Sequence, residues 1–445
     1  MNKSKISKQL INVVFSAALM LPLVSITEVA LFKSQEAYAQ AKRVKVLSIR
    51  QKHIKNFEKA QEAMDAGNSS EVFRIIAKIE KDPELNNLER AYIRNFRGGI
   101  YFTQDNLSAA AKEFKGIVDN SEGVSAAFVN QMHYILSQVY FSQGNYRGAI
   151  KNAEIYIKTL EKPGADLYIL IGQAYFKLNQ YDTSLANVQK GIDIYRQEGK
   201  QPKEGWLNLL ASIYRTKKQY SKMVPILKQL IAFYPKKSYM LSLGGIYNEL
   251  NQRESMTSIY QSMHDAGLLT SESELVTLAT LQMSMDNPYK ASVIMEEGIK
   301  NGVVPKNERN YGTYSQALYL ARDYEKAIDP LSKAASLSSN GKKYQELGQS
   351  YISLNRWSEG EAAFTKAINK GGLSNAGQAF INLGLAQFNQ KKYSAAKSTF
   401  NKALKYPKLR KAASNWIKYV DNELLRLKAL EEEVIINTDV EAEER

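Results

Sequence analysis

The sequence predicts an all-α protein, a solenoid of helical hairpins closed at its C-terminal side by a capping helix. Three observations carry the prediction. Residues 344–370, YQELGQSYISLNRWSEGEAAFTKAINK, read as two short helices whose apolar or small positions return every three or four residues, with Asn355 at the turn. A small residue recurs in the Gly348 position along the chain as Gly98, Ser137, Gly172, Ala211, Gly244, Ala279, Ser315, Gly348 and Gly384, at steps of 33 to 39 residues. Three places beyond it stands an aromatic or apolar residue in most copies (Tyr101, Tyr140, Tyr175, Tyr214, Tyr247, Leu318, Tyr351), and the second helix opens with an aromatic such as Tyr146, Tyr181, Trp357 or Tyr393. One such hairpin cannot bury its own apolar face, so each copy needs a neighbour on either side.

Taken in order, residues 1–39 read as a cleavable signal peptide. Lys3, Lys5 and Lys8 precede an apolar run at 10–24, and Ala37-Tyr38-Ala39 offers a cleavage site before Gln40. An uncleaved inner-membrane anchor is the alternative, although Pro22 and Glu28 interrupt the longer apolar run. Export points to the periplasm. The chain has no cysteine, which removes lipoprotein anchoring, disulfides and thiol chemistry together. Of 60 basic and 45 acidic residues, the segment after residue 39 keeps 56 and 43, a net charge of +13. In an exported chain this favours anionic envelope surfaces or acidic proteins over nucleic acid.

A basic segment at 40–56 leads into the repeats at 57–407, about nine to ten hairpins, the first spanning 57–81 and somewhat degenerate. Gln282 and Gln387 take the place of the first-helix aromatic, and Arg253 that of the aromatic opening the second helix. Looser packing or a bend is expected there. Pro235 and Pro407 stand near repeat ends. Residues 408–430 form an amphipathic capping helix with Leu409, Ala412, Trp416, Val420, Leu424 and Leu427 on one stripe, and 431–445 are expected to be an acidic disordered tail.

Catalysis finds no constellation to work with. His53, His133 and His264 are far apart, no phosphate-loop motif occurs, and no cofactor or metal is expected. Gly98-Gly99 and Gly244-Gly245 read as helix contacts, Gly371-Gly372 as a helix stop. Binding is better served, because the first helices repeat the same outward positions in every unit. Four places beyond the small residue lie Phe102, Phe141, Phe176 and Arg215. One place beyond it recur Gln138, Gln173, Gln316 and Gln349, and three before it stand Asn95, Tyr134, Asn208 and Gln345. Rings interleaved with amides suit an extended peptide, so Asn95, Phe102, Tyr134, Gln138, Phe141, Gln173, Phe176, Asn208 and Arg215 are the candidate partner-binding positions on a concave wall. Packing between repeats is the competing role for the rings.

The pattern of large, small, aromatic and proline positions over 57–406 resembles the tetratricopeptide repeat family, which implies a right-handed superhelix of two-helix units and a scaffold for protein partners. The chain-end carboxylate clamp of some family members is not matched: Arg215 is isolated and Lys177 lies one place further round. Several stretches, among them VLSIRQKHIKNFEKAQEAMDAGNSSE, LNNLERAYIRNFRGGIYF and KKQYSKMVPILKQLIAFYPKKSYMLSLGGIYNELNQRESM, resemble the exported tetratricopeptide proteins associated with TonB, ExbB and ExbD energy-transduction systems of Gram-negative bacteria. That resemblance implies an accessory role in TonB-dependent iron or haem uptake, with TonB- or ExbB-type partners. A general adaptor for secretion, peptidoglycan or exopolysaccharide machinery is the alternative.

Overall fold

Every regular element in the computed structural model, which describes residues 47–443, is helical. The leader at 1–39 and the start of the basic segment lie outside the described residues. Two compact units divide the chain after Tyr234. The first holds five hairpins, pairing α1 (Gln51–Asp65) with α2 (Ser69–Ile79), α3 (Asn87–Thr103) with α4 (Leu107–Asp119), α5 (Ala126–Ser142) with α6 (Tyr146–Ile157), α7 (Ala165–Lys177) with α8 (Tyr181–Gln197), and α9 (Glu204–Thr216) with α10 (Tyr220–Phe233). The second holds five more: α11 (Lys237–Glu249) with α12 (Arg253–Asp265), α13 (Glu272–Ser284) with α14 (Pro288–Lys300), α15 (Glu308–Leu320) with α16 (Tyr324–Leu337), α17 (Lys342–Ser353) with α18 (Trp357–Lys370), and α19 (Ala376–Asn389) with α20 (Tyr393–Ala403). A short 3-10 turn at Pro407–Leu409 then leads into α21 (Arg410–Glu443). Consecutive helices pack on one another within each unit, as a solenoid requires.

The recurring small residue sets the distance between the two helices of a hairpin. A Cβ added to Gly98 would lie 2.7 Å from the ring of Phe114, at Gly348 3.0 Å from Phe364, and at Gly384 2.6 Å from Phe400. Gly172 meets Val188 and Gly244 meets Tyr260 in the same way. Each partner stands sixteen residues further on. Where the small residue is instead Ala211, Ala279 or Ser315, the residue sixteen on is Leu227, Met295 or Leu331 rather than an aromatic ring. Apart from Gly172 with Val188 and Ser137 with Ala153, size is therefore matched across the hairpin. Gly245, by contrast, meets nothing within 4 Å, so the second glycine of that pair is not a helix contact.

The turns repeat as faithfully. Seven places beyond the small residue the backbone enters the left-handed region, at Asp105, Gly144, Asn179, Lys218, Asn251, Asp286, Arg322, Asn355 and Lys391. The next residue's N–H then donates to the carbonyl five residues back, as Arg356 does to Tyr351 at 2.9 Å and Gln219 to Tyr214 at 2.8 Å. This bond closes the first helix and aims the chain into the second.

Three expectations are corrected. Helix α1 begins at Gln51, inside the segment expected to precede the repeats, because its start is anchored over a long sequence distance. Arg50 donates from Nε and Nη2 to the fully buried Glu89 carboxylate at 2.8 to 3.1 Å and from its backbone N–H at 2.9 Å. Asp82 in turn receives Arg50, Lys52 and His53 at 2.7 to 2.9 Å. At the other end α21 continues to Glu443 where a disordered tail was expected; acidity alone does not break a helix, and no Gly or Pro follows Pro407. Finally, Gln282 and Gln387 are buried and tied rather than loose. Gln282 donates to Gln261 on the preceding hairpin at 2.6 Å, while Gln387 donates to Glu361 at 3.1 Å and accepts from Thr399 at 2.7 Å. Tyr214, an aromatic at the same phase, is held similarly by Gln189 at 2.8 Å.

Candidate binding cleft

All nine predicted positions fall on first helices of the first unit: Asn95 and Phe102 on α3, Tyr134, Gln138 and Phe141 on α5, Gln173 and Phe176 on α7, Asn208 and Arg215 on α9. The rings are half-buried. Phe102 packs onto the core around Phe114 and Leu136. Phe141 meets the edge of Tyr146 at 5.5 Å and Phe176 that of Tyr181 at 5.6 Å, in each case the residue that opens the following second helix. Tyr319 on Tyr324 and Phe388 on Tyr393 repeat the contact, so this phase joins the end of one helix to the start of the next. Tyr134 lies 5.1 Å from Tyr156, and burial pushes its hydroxyl up despite the nearby Gln138 amide. Gln138 itself is buried, and its carbonyl oxygen has no hydrogen-bond partner among the described residues. Arg215 is exposed.

The same phases in the second unit line an open cleft of about 910 Å³ between the first helices α15 and α17. Gln316 and Gln349, both read from the sequence as recurring amides, stand in it together with Tyr319, Thr313, Ser350 and Leu331. Its charges balance. Lys343 pairs with Glu346 at 2.7 Å, and Glu308 and Arg309 lie at the rim helix start. Gln349 is held by Asn382, whose Nδ2 donates to its Oε1 at 2.9 Å. Gln316 and Tyr319 are exposed. Behind the cleft, Tyr314 is pushed up to about 12, by burial first and then by Glu296.

Gly312 explains the opening. A helical glycine costs about 1 kcal/mol relative to alanine and is usually retained where a neighbour leaves no room for Cβ. Here a Cβ would meet only the Lys343 side chain at an ordinary 3.7 Å. Other hairpins place Asn95, Tyr134, Ile169, Asn208, Leu241, Val276, Gln345 or Ile381 at this phase. A lone glycine among larger residues was the signal by which the cleft could have been found. The surface it leaves is neutral, offers amides and hydroxyls to a peptide backbone, and has one ring and one aliphatic wall. Among the described residues no group of three or more His, Cys, Asp or Glu could hold a metal ion, and no helix is long and apolar enough to cross a membrane.

Stacked two-helix units with a shared phase define a helical-repeat protein. Two stretches, 165–198 and 346–414, match family models described as tetratricopeptide repeat. No curated protein matches it. Among solved structures it is similar to MamA, at 19% identity over 39% of this chain and 93% of that one with a TM-score of 0.33. The TPR2AB domain of yeast Sti1 in complex with pHSP90 aligns at 13% identity over 59% and 99%, TM-score 0.35. A tetratricopeptide repeat protein from Parabacteroides merdae ATCC 43184 aligns at 14% over 58% and 98%, TM-score 0.30.

Proposed function

We propose that this protein is a non-enzymatic periplasmic scaffold that holds a partner's extended segment on its first helices, as an accessory component of a TonB-dependent iron or haem uptake system. The repeats themselves imply a protein-interaction scaffold. The observation that carries the binding mode is the neutral cleft held open at Gly312, with Gln316, Gln349 and Tyr319 presented to solvent. Export is supported by the leader at 1–39, and the TonB association by the resembling stretches, which cover most of the chain after the leader.

The test has two parts. Loss of the gene should impair growth on iron supplied only as siderophore or haem, and unchanged growth with an intact TonB system would refute the assignment. Gly312→Leu should fill the cleft and abolish partner capture without lowering the melting temperature. A second reading, an adaptor for anionic envelope polymers, is favoured by the exposed Arg215, Lys218 and Lys222 around one hairpin turn. Binding through those charges would collapse between low and moderate salt, whereas a segment held in the neutral cleft would lose little.

A further inference from the structure

Helix α21 occupies the place of a first helix. It packs on α20, with Ala413 and Val420 fully buried and Trp416 stacked on Phe400 at 5.6 Å and 10°. The hairpins' first helices turn back after 12 to 17 residues to meet a second helix, but α21 runs for 34. Large apolar side chains on it stay in water: Tyr419 is 56% exposed, Leu425 66% and Leu430 43%. Tyr419 also borders a cleft of about 450 Å³ with Phe388, Trp416 and Leu385. A solitary helix extending about 28 Å past Leu424 would be marginal in water.

Charge along the helix suits one particular cover. Residues 410–428 carry five basic and two acidic side chains, whereas 429–443 carry six acidic and no basic ones. Laid antiparallel, two such helices set the acidic half of each along the basic half of the other, while a parallel pair sets acid against acid. A two-fold axis perpendicular to the helices produces this antiparallel arrangement and needs only one self-complementary surface. We propose that α21 is a self-association element: two copies of this chain pair through antiparallel α21 helices, burying Leu425 and Leu430 near the axis and joining the acidic and basic halves.

Sedimentation equilibrium of the full chain at micromolar concentration tests this. A dimer is expected, weakened by added salt. Leu425→Lys should raise its dissociation constant about tenfold or more without lowering the melting temperature of the repeats, because Leu425 is exposed in the single chain. The chain has no cysteine, so introduced thiols report orientation cleanly. Arg426→Cys, near the helix midpoint, should form a disulfide-linked dimer readily, and Glu441→Cys should not. A monomer at all concentrations, a dimer indifferent to Leu425→Lys, or efficient crosslinking of Glu441→Cys to itself would each overturn the proposal.

Discussion

Replacing Gly384 by alanine puts the size-matching of the hairpins to a quantitative test. The added Cβ would sit 2.6, 2.8 and 2.8 Å from three atoms of the Phe400 ring. That ring cannot withdraw, because it is fully buried and stacked on Trp416. Overpacking of this kind costs about 1–3 kcal/mol, and alanine returns up to about 1 kcal/mol through helix propensity. The net expectation is a loss of about 1–2 kcal/mol. Phe400→Leu alone leaves a void worth about 1–2 kcal/mol. Together the two changes recreate the pairing of Ala211 with Leu227, so the double variant should lose about 1 kcal/mol less than the sum of the singles. Chemical denaturation of the full chain, followed by circular dichroism, measures all four proteins. A neutral or stabilising Gly384→Ala, or strict additivity, would refute the reasoning.

Other outcomes follow from the turns, the N-terminal anchor and the rings. Lys218→Gly and Arg322→Gly relieve a left-handed backbone at φ of 52° and 62° and should each stabilise by about 0.5–1 kcal/mol; a lower melting temperature for both would count against the turn assignment. Lys52 first, then His53, hold Asp82 far below the usual carboxylate range. Burial pushes Glu89 up, but Arg50 pulls it further down. Because both folded values lie below the unfolded ones, their stabilisation is complete above about pH 5 and is lost as pH falls through the acid range. Asp82→Asn should therefore be less stable at neutral pH and flatter in its acid dependence, and an unchanged acid midpoint would contradict the anchor. Phe141→Ala with Phe176→Ala removes two edge contacts and should cost about 1–2 kcal/mol per ring, measurable as a lowered melting temperature.

What the sequence made legible is whatever repeats. The small residue, the ring three places on and the opening aromatic recur often enough to set a phase, and that phase located nine of the ten hairpins and the amides Gln316 and Gln349. The pairing sixteen residues apart was equally available, since Gly98, Gly348 and Gly384 each face a phenylalanine. Arg50 and Glu89 were not, because an ion pair spanning 39 residues leaves no periodic trace. A glutamine at an apolar phase was ambiguous as well: Gln282 and Gln387 could have marked slack or a buried bond, and only their neighbours Gln261, Glu361 and Thr399 decide. The ring ladder in the first unit lies at the phase that lines the cleft in the second unit, while the opening depends on one absent side chain at Gly312.

The central claim, that the first helices present a binding surface in the α15–α17 cleft, is tested most directly by a photo-crosslinking amino acid placed in living cells. Substituted for Gln316 inside the cleft, it should yield one discrete adduct with a partner protein. Substituted for Lys326, exposed on the second helix α16, it should yield none. No adduct from Gln316, or the same adduct from both positions, would contradict the account.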